Sequence, residues 1–134
     1  MMRRTLLALV LFAVPALAGA PVSTHILTTD KTVIGQPNDV PLHPTVIATM
    51  ITFQPGDKTA VHKHPYPHYG YVLEGTLTIV NTETGKSFDV KTGEFLVEMV
   101  NTDHYGENRG KTPVKILIVD QVPEGVKTNS VLKD

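Results

Sequence analysis

The sequence predicts an all-β, single-domain fold, and three observations predict it. Few stretches carry helical periodicity; short apolar runs are instead broken by Gly, Pro, Asn and Asp, the pattern of a β-sandwich or barrel. Two runs, Thr45 to Phe53 (TVIATMITF) and Val114 to Asp120 (VKILIVD), are rich in β-branched residues that fit a pleated surface. No segment repeats at a fixed period, and closure into a barrel removes the unpaired edges of an open sheet.

Taken in order, residues 1–18 (MMRRTLLALVLFAVPALA) have the layout of a secretory signal peptide. Arg3 and Arg4 form the charged start, and Leu6 to Val14 form an apolar run too short to span a bilayer comfortably. Ala16 and Ala18 give a small-x-small cleavage site; a cut after Ala20 is disfavoured by Pro21. Cleavage after Ala18 leaves 116 of the 134 residues as an exported chain, periplasmic or secreted. Residues 19–44 hold a first strand around His25 to Leu27 and a proline-rich loop from Gly35 to Pro44. The barrel proper is expected over 45–120. Within it, Tyr69 to Val80 reads as a strand pair or one bent strand with Gly75 at the bend. Further strands are expected at Ser87 to Val90, Glu94 to Val100 and Val114 to Asp120, divided by Gly-containing turns. The tail, 121–134, is polar and expected to be peripheral.

Composition excludes several function classes. There is no cysteine, so neither a disulfide framework nor thiol chemistry is available. Without Arg3 and Arg4 the chain carries 10 basic against 13 acidic residues, with no basic cluster for nucleic acid. After signal cleavage no second apolar or amphipathic segment points to a membrane. About 116 residues suffice for one hydrophobic core.

Chemistry concentrates in Gly56 to Gly75 (GDKTAVHKHPYPHYGYVLEG), which holds His62, His64 and His68, half of the six histidines in the chain. Residues two apart on a strand share a face, so His62 and His64 aim at one point. Imidazole is the commonest metal ligand, and the pair therefore suggests a metal site in a β-structure. Pro65 and Pro67 interrupt the strand before His68, and spacing alone leaves its orientation open. A single histidine is more often a surface or hydrogen-bonded residue; three so close together shift the balance toward metal. A further ligand must come from elsewhere, and His104 is the candidate.

Two motifs carry a family resemblance. Gly56-x5-His62-x-His64-x3-His68-x6-Gly75 resembles the first motif of the cupin superfamily, G-x5-H-x-H-x3,4-E-x6-G. Gly93-x5-Met99-x-Asn101-x2-His104-x3-Asn108 resembles the second, G-x5-P-x-G-x2-H-x3-N. The wording is similar to that of small exported single-domain cupins. The resemblance implies a double-stranded β-helix, or jelly roll, with His62, His64 and His104 as metal ligands and Asn108 in a supporting role. It also implies pairing into a homodimer. His68 stands where many cupins have a glutamate ligand, and Met99 and Asn101 replace the usual Pro and Gly. If His68 coordinates, the site is four neutral imidazoles with no anionic ligand, which favours an anionic substrate.

The metal implied is one divalent transition ion: Fe, Mn, Ni, Cu or Zn. Three functions follow, and the residues separate them poorly. The first is a mononuclear, dioxygenase-like oxygenase acting on a small chelating or enol-type substrate; the second is a non-catalytic protein binding metal or a small ligand in the periplasm; the third is a structural or interaction module whose metal only stabilises the barrel. No catalytic residue is identified. Replacing the motif glutamate removes a plausible general base, and Glu74, Glu98 and Glu107 are the possible substitutes. Glu98 is expected to point outward, and Glu107 could approach the mouth. Met50, Phe53, Phe95 and Met99 are expected in the core or pocket wall. Arg109 is expected in a solvated loop, and the four tyrosines are expected to pack at the rim. His25 and His43 are read as non-ligands.

Overall fold

The computed structural model describes residues 19–134, and the expected signal peptide lies outside them. The described residues form nine strands and no helix, so none could cross a membrane as a helix. The strands are β1 (Thr45–Phe53), β2 (His62–Lys63), β3 (His68–Glu74), β4 (Thr76–Asn81), β5 (Ser87–Lys91), β6 (Phe95–Val97), β7 (His104–Glu107), β8 (Val114–Val122) and β9 (Val131–Leu132). They build two antiparallel sheets, ordered β1-β8-β3-β6 and β5-β4-β7-β2-β9. This is the all-β jelly roll expected from the sequence.

The alternation of β8 fixes the inside of the first sheet. Val114, Ile116, Ile118, Asp120 and Val122 are all buried, with more accessible residues between them. On β3 the matching inward residues are His68, Gly70 and Val72. Of these, Val72, Val114, Ile116 and Ile118 meet Leu77 and Ile79 of β4, together with Phe53, Val90, Leu96 and Met99, in one apolar core. Burying each such side chain stabilises the fold by about 1.5–3 kcal/mol. Those apolar residues fill most of the interior. The buried polar residues His64, His68, Glu98, His104, Asp120 and Asn129 are the ones that need explaining.

The long apolar stretch from Tyr69 to Val80 is two strands in different sheets, and the chain changes sheet at Gly75. That glycine has φ +77°, and a Cβ there would lie 2.6 Å from the Pro113 carbonyl oxygen. Both the left-handed backbone and the close approach require glycine. Asn101 has φ +51° at the position where the resemblance expects Gly. Asn tolerates the left-handed region better than most residues, so the turn into β7 keeps its course.

Three expectations are corrected. Residues around His25 to Leu27 form no strand; Ile26 and Leu27 remain exposed. Met50 and Phe95 are on the outer faces, 49% and 38% exposed, whereas Phe53 and Met99 are in the core. The tail is not peripheral, because Asn129 is 3% exposed and β9 pairs with β2.

The sheet-crossing glycine gives a stability test. Gly75→Ala should lower the unfolding free energy by about 2–4 kcal/mol, combining left-handed strain with overpacking. Gly85→Ala, with φ +72° but nothing within 4 Å of its Cβ, should cost only about 1 kcal/mol. Urea denaturation of both variants checks the difference.

Candidate metal centre

Strand pairing, more than sequence proximity, assembles the site. His62 on β2 is the direct cross-strand partner of His104 on β7. His68 on β3 is the partner of Asp120 on β8. The backbone N–H of Glu98 donates to the His68 carbonyl at 2.9 Å, and that of Asn101 donates to the His64 carbonyl at 2.8 Å. The segment carrying Glu98 and Asn101 is clamped by Gln36, whose side-chain amide bonds both the N–H and the C=O of Val100.

All four motif histidines have Nδ1 occupied. His62 Nδ1 lies 2.8 Å from the Ala60 carbonyl, His64 Nδ1 2.9 Å from that of Asn129, and His104 Nδ1 2.7 Å from that of Thr102. His68 Nδ1 lies 2.6 Å from Asp120 Oδ1. A carbonyl or ionised carboxylate only accepts, so each Nδ1 carries the proton and donates it. Each Nε2 is then the nitrogen left to bind a cation, with its ring oriented by the bond behind it.

The donor atoms of His62, His64 and His104 lie within 4.8 Å of one another, and so do those of His64, His68 and Glu98. The His64 and His68 rings stack, with centroids 3.7 Å apart and an interplanar angle of 6°. His68, whose orientation spacing leaves open, lies beside His64 and Glu98 and not in the group formed by His62, His64 and His104. Asn108, the last motif residue, is buried away from this cluster. It donates to the carbonyls of Phe53 and Thr112 and holds the loop after β7.

Glu98 was expected to point outward and instead points inward, 7% exposed. Its Oε1 lies 3.0 Å from His104 Nε2, and its Oε2 lies 3.4 Å from His68 Nε2 and 4.0 Å from His64 Nε2. The reason is that regular alternation ends with β6 at Val97, so period two cannot be extrapolated through Glu98. Glu107 pairs with Arg109 on the surface, and Glu74 is exposed; neither reaches the cluster. Asp120 and Asn129 were missed. Asp120 falls on the inward parity of the β8 run, a signal present in the sequence. Nothing local marks Asn129, whose amide donates to Asp120 Oδ1 at 2.7 Å and to the Tyr66 carbonyl at 3.0 Å.

The electrostatics favour a cation. Burial pushes the His62 imidazole down, and burial together with His68 pushes that of His64 down to about 3, so these two are neutral. Burial opposes ionisation of Glu98, but His104 and His68 outweigh it and bring the carboxyl down to about 2. For Asp120 burial is likewise outweighed, by His68, and its carboxyl is also lowered. Burial disfavours a charged His104, but Glu98 overcomes this and raises it. The neutral imidazoles of His62 and His64 with the ionised Glu98 carboxylate form a donor set suited to a divalent transition ion. The completely buried His104 Nε2 reinforces this: Glu98 Oε1 is near it but off a hydrogen-bonding line, and no other partner satisfies it. A buried polar atom left so costs about 1–3 kcal/mol.

Above the donors is a cavity of about 240 Å³. Its walls are Ile51, Phe53, Leu77, Ile79, Ile116 and Ile118, and Ser130 and Leu132 of the C-terminal segment border it. Neither Lys nor Arg is among the described residues that line it.

The comparisons agree with this architecture. The crystal structure of an oxalate decarboxylase formate complex from Lactobacillus farciminis is 24% identical with a TM-score of 0.55, covering 66% of this chain and 26% of that one. A polyketide cyclase from Streptomyces resistomycificus is 24% identical with a TM-score of 0.54, covering 66% and 63%. A cupin-superfamily sugar phosphate isomerase from Silicibacter pomeroyi is 21% identical with a TM-score of 0.51, covering 58% and 51%. The chain therefore matches about a quarter to under two thirds of the length of these proteins, and the likeness is one of fold. No curated protein matches it. The model of the cupin domain family matches residues 49–120, more than half of the chain, and with the β-fold and histidine arrangement already described it places this protein in the cupin superfamily.

Proposed function

We propose that this protein is an exported, mononuclear metal-dependent cupin that takes a small chelating or enol-type molecule into an apolar chamber and acts on it as an oxygenase. The observation that carries the reading is the locking of every motif histidine through Nδ1, which leaves the Nε2 atoms for metal. His62, His64 and His104 would hold the ion, with His68 beside them. When bound, such an ion supplies Lewis-acid chemistry and, for Fe, Mn, Ni or Cu, redox chemistry.

The chain's own residues set the rest. The isoleucine, leucine and phenylalanine walls exclude water and accept an apolar body. The cavity is below the roughly 300 Å³ at which pockets for drug-sized ligands begin, which favours a small substrate. With neither Lys nor Arg in the described lining, a sugar phosphate or another multiply charged anion has no lysine or arginine partner there. A ligand with one or two oxygen donors and an apolar remainder fits better. Non-catalytic binding of metal or such a ligand is the second reading. It is favoured by one fact: among the described residues the only acid lining the chamber is Glu98, and its oxygens stand 3.0 and 3.4 Å from His104 and His68 within the histidine cluster. Export to the periplasm or medium rests on residues 1–18, and a homodimer on the family resemblance.

Metal analysis of protein purified from its own compartment should give one divalent ion per chain. His62→Ala and His104→Ala should each lower affinity at least 100-fold, read by competition with a chromogenic chelator, and abolish the rise in melting temperature on adding metal. Oxygen uptake with a panel of enols, diketones and flavonols should show turnover with a small member of the panel; none with any metal leaves the binding reading. Asn129→Ala keeps the carbonyl that holds His64 but removes the bonds anchoring the segment that carries it. It should weaken metal binding by about 10–100-fold, the usual effect of removing such support.

A further inference from the structure

The first motif lacks its usual carboxylate, because His68 occupies that position. Glu98 approaches the same place from the second motif. Its N–H donates to the His68 carbonyl, so the two residues are backbone neighbours, and exchanging which of them bears the carboxylate moves the charge only to the adjacent hydrogen-bonded segment. The Glu98 oxygens lie 3.0, 3.4 and 4.0 Å from the Nε2 atoms of His104, His68 and His64. Ligand atoms that share one ion through bonds of about 2.0–2.2 Å stand about 3–4 Å apart. A carboxylate present only to accept a proton from His104 would lie along its N–H. Glu98 Oε1 is close to Nε2 but off that line, as expected of two ligands directed at a third atom.

The surroundings hold Glu98 there. His68, which faces one of its oxygens, is fixed from behind by Asp120, and Asp120 accepts from the Asn129 amide. Such layered support is how proteins orient metal ligands.

We propose that Glu98 is a direct ligand of the metal centre, supplying from the second motif the carboxylate that the first motif lacks, with the bond from its backbone N–H to the His68 carbonyl holding it in position. The inference rests on the reading of His62, His64 and His104 as metal ligands. One carboxylate reduces the charge of a divalent centre by one unit. The substrate class then shifts from a strongly anionic molecule, which four imidazoles alone would favour, to a neutral or singly charged chelator, in keeping with the apolar chamber.

Cobalt(II) titration of the full chain, followed by its visible absorption bands, tests this. The wild type should bind one equivalent. Glu98→Gln, similar in shape but uncharged, should bind at least 10-fold more weakly and show shifted bands, because a coordinating atom has changed. Glu98→Ala should show the same loss, and added acetate should restore the wild-type bands there but not in His104→Ala. Unchanged bands in Glu98→Gln, even with weaker affinity, would make Glu98 a supporting residue and overturn the proposal while leaving the histidine site intact. Absence of cobalt binding by the wild type would overturn the histidine reading and this inference together. Should Glu98→Gln fail to fold by circular dichroism, Glu98→Asp decides: retracting the carboxylate by one methylene must alter the bands, and unaltered bands reject direct ligation.

Discussion

The pairing of β2 with β7 is the constraint on which the site depends. It sets His62 directly opposite His104, although 42 positions separate them in the sequence. Directly opposed residues on one face of an antiparallel pair are about 4.5–5.5 Å apart at Cβ, close enough for two imidazoles to reach one ion. A slip of one residue would send one of the two rings to the other face. β2 is only two residues long, so its own ladder cannot secure that register. β9 pairs along its other edge, and the Lys133 ammonium binds the Asp103 carboxylate at 2.8 Å, next to His104.

This gives the C-terminal segment a role beyond closing the sheet. Asn129 offers its carbonyl to His64 and its amide to Asp120, while its side-chain oxygen accepts from the Tyr66 N–H. Through these bonds one residue supports two of the motif histidines, His64 directly and His68 by way of Asp120. The Asn129 side chain is buried with both its oxygen and its amide hydrogen-bonded, which is the condition under which a polar group gives order and not instability. The same segment sends Ser130 and Leu132 to the edge of the chamber, so the elements that orient the histidines also shape what can approach them.

The histidine cluster lies at one end of the apolar core. Along β8 the inward row runs Val114, Ile116, Ile118 and then Asp120; along β3, read from the other end, it runs Val72, Gly70 and then His68. Gly70 is needed where the row narrows, since a Cβ there would lie 2.7 Å from Leu96 Cδ2 and 2.9 Å from Ile116 Cδ1. Ion pairs and hydrogen bonds in this water-poor end are stronger than at the surface, which accounts for the opposed shifts of Glu98 and His104.

Much of the fold was legible because strand signals are local. Thr45 to Phe53 forms β1 with the expected ends, and the β8 run carries its period of two plainly. The paired motifs also marked His62, His64, His68 and His104, since their spacing is a property of the chain itself. The remaining site residues depended on how the chain comes together. Glu98 follows the last regular residue of a three-residue strand, where parity no longer says which way a side chain turns. Asn129 is surrounded by polar neighbours and gains its meaning only from Asp120, Tyr66 and His64 across the sheet. The sequence determined the strands and the imidazoles by periodicity and spacing; the tertiary structure decided, through long-range register, which acid and which amide join them.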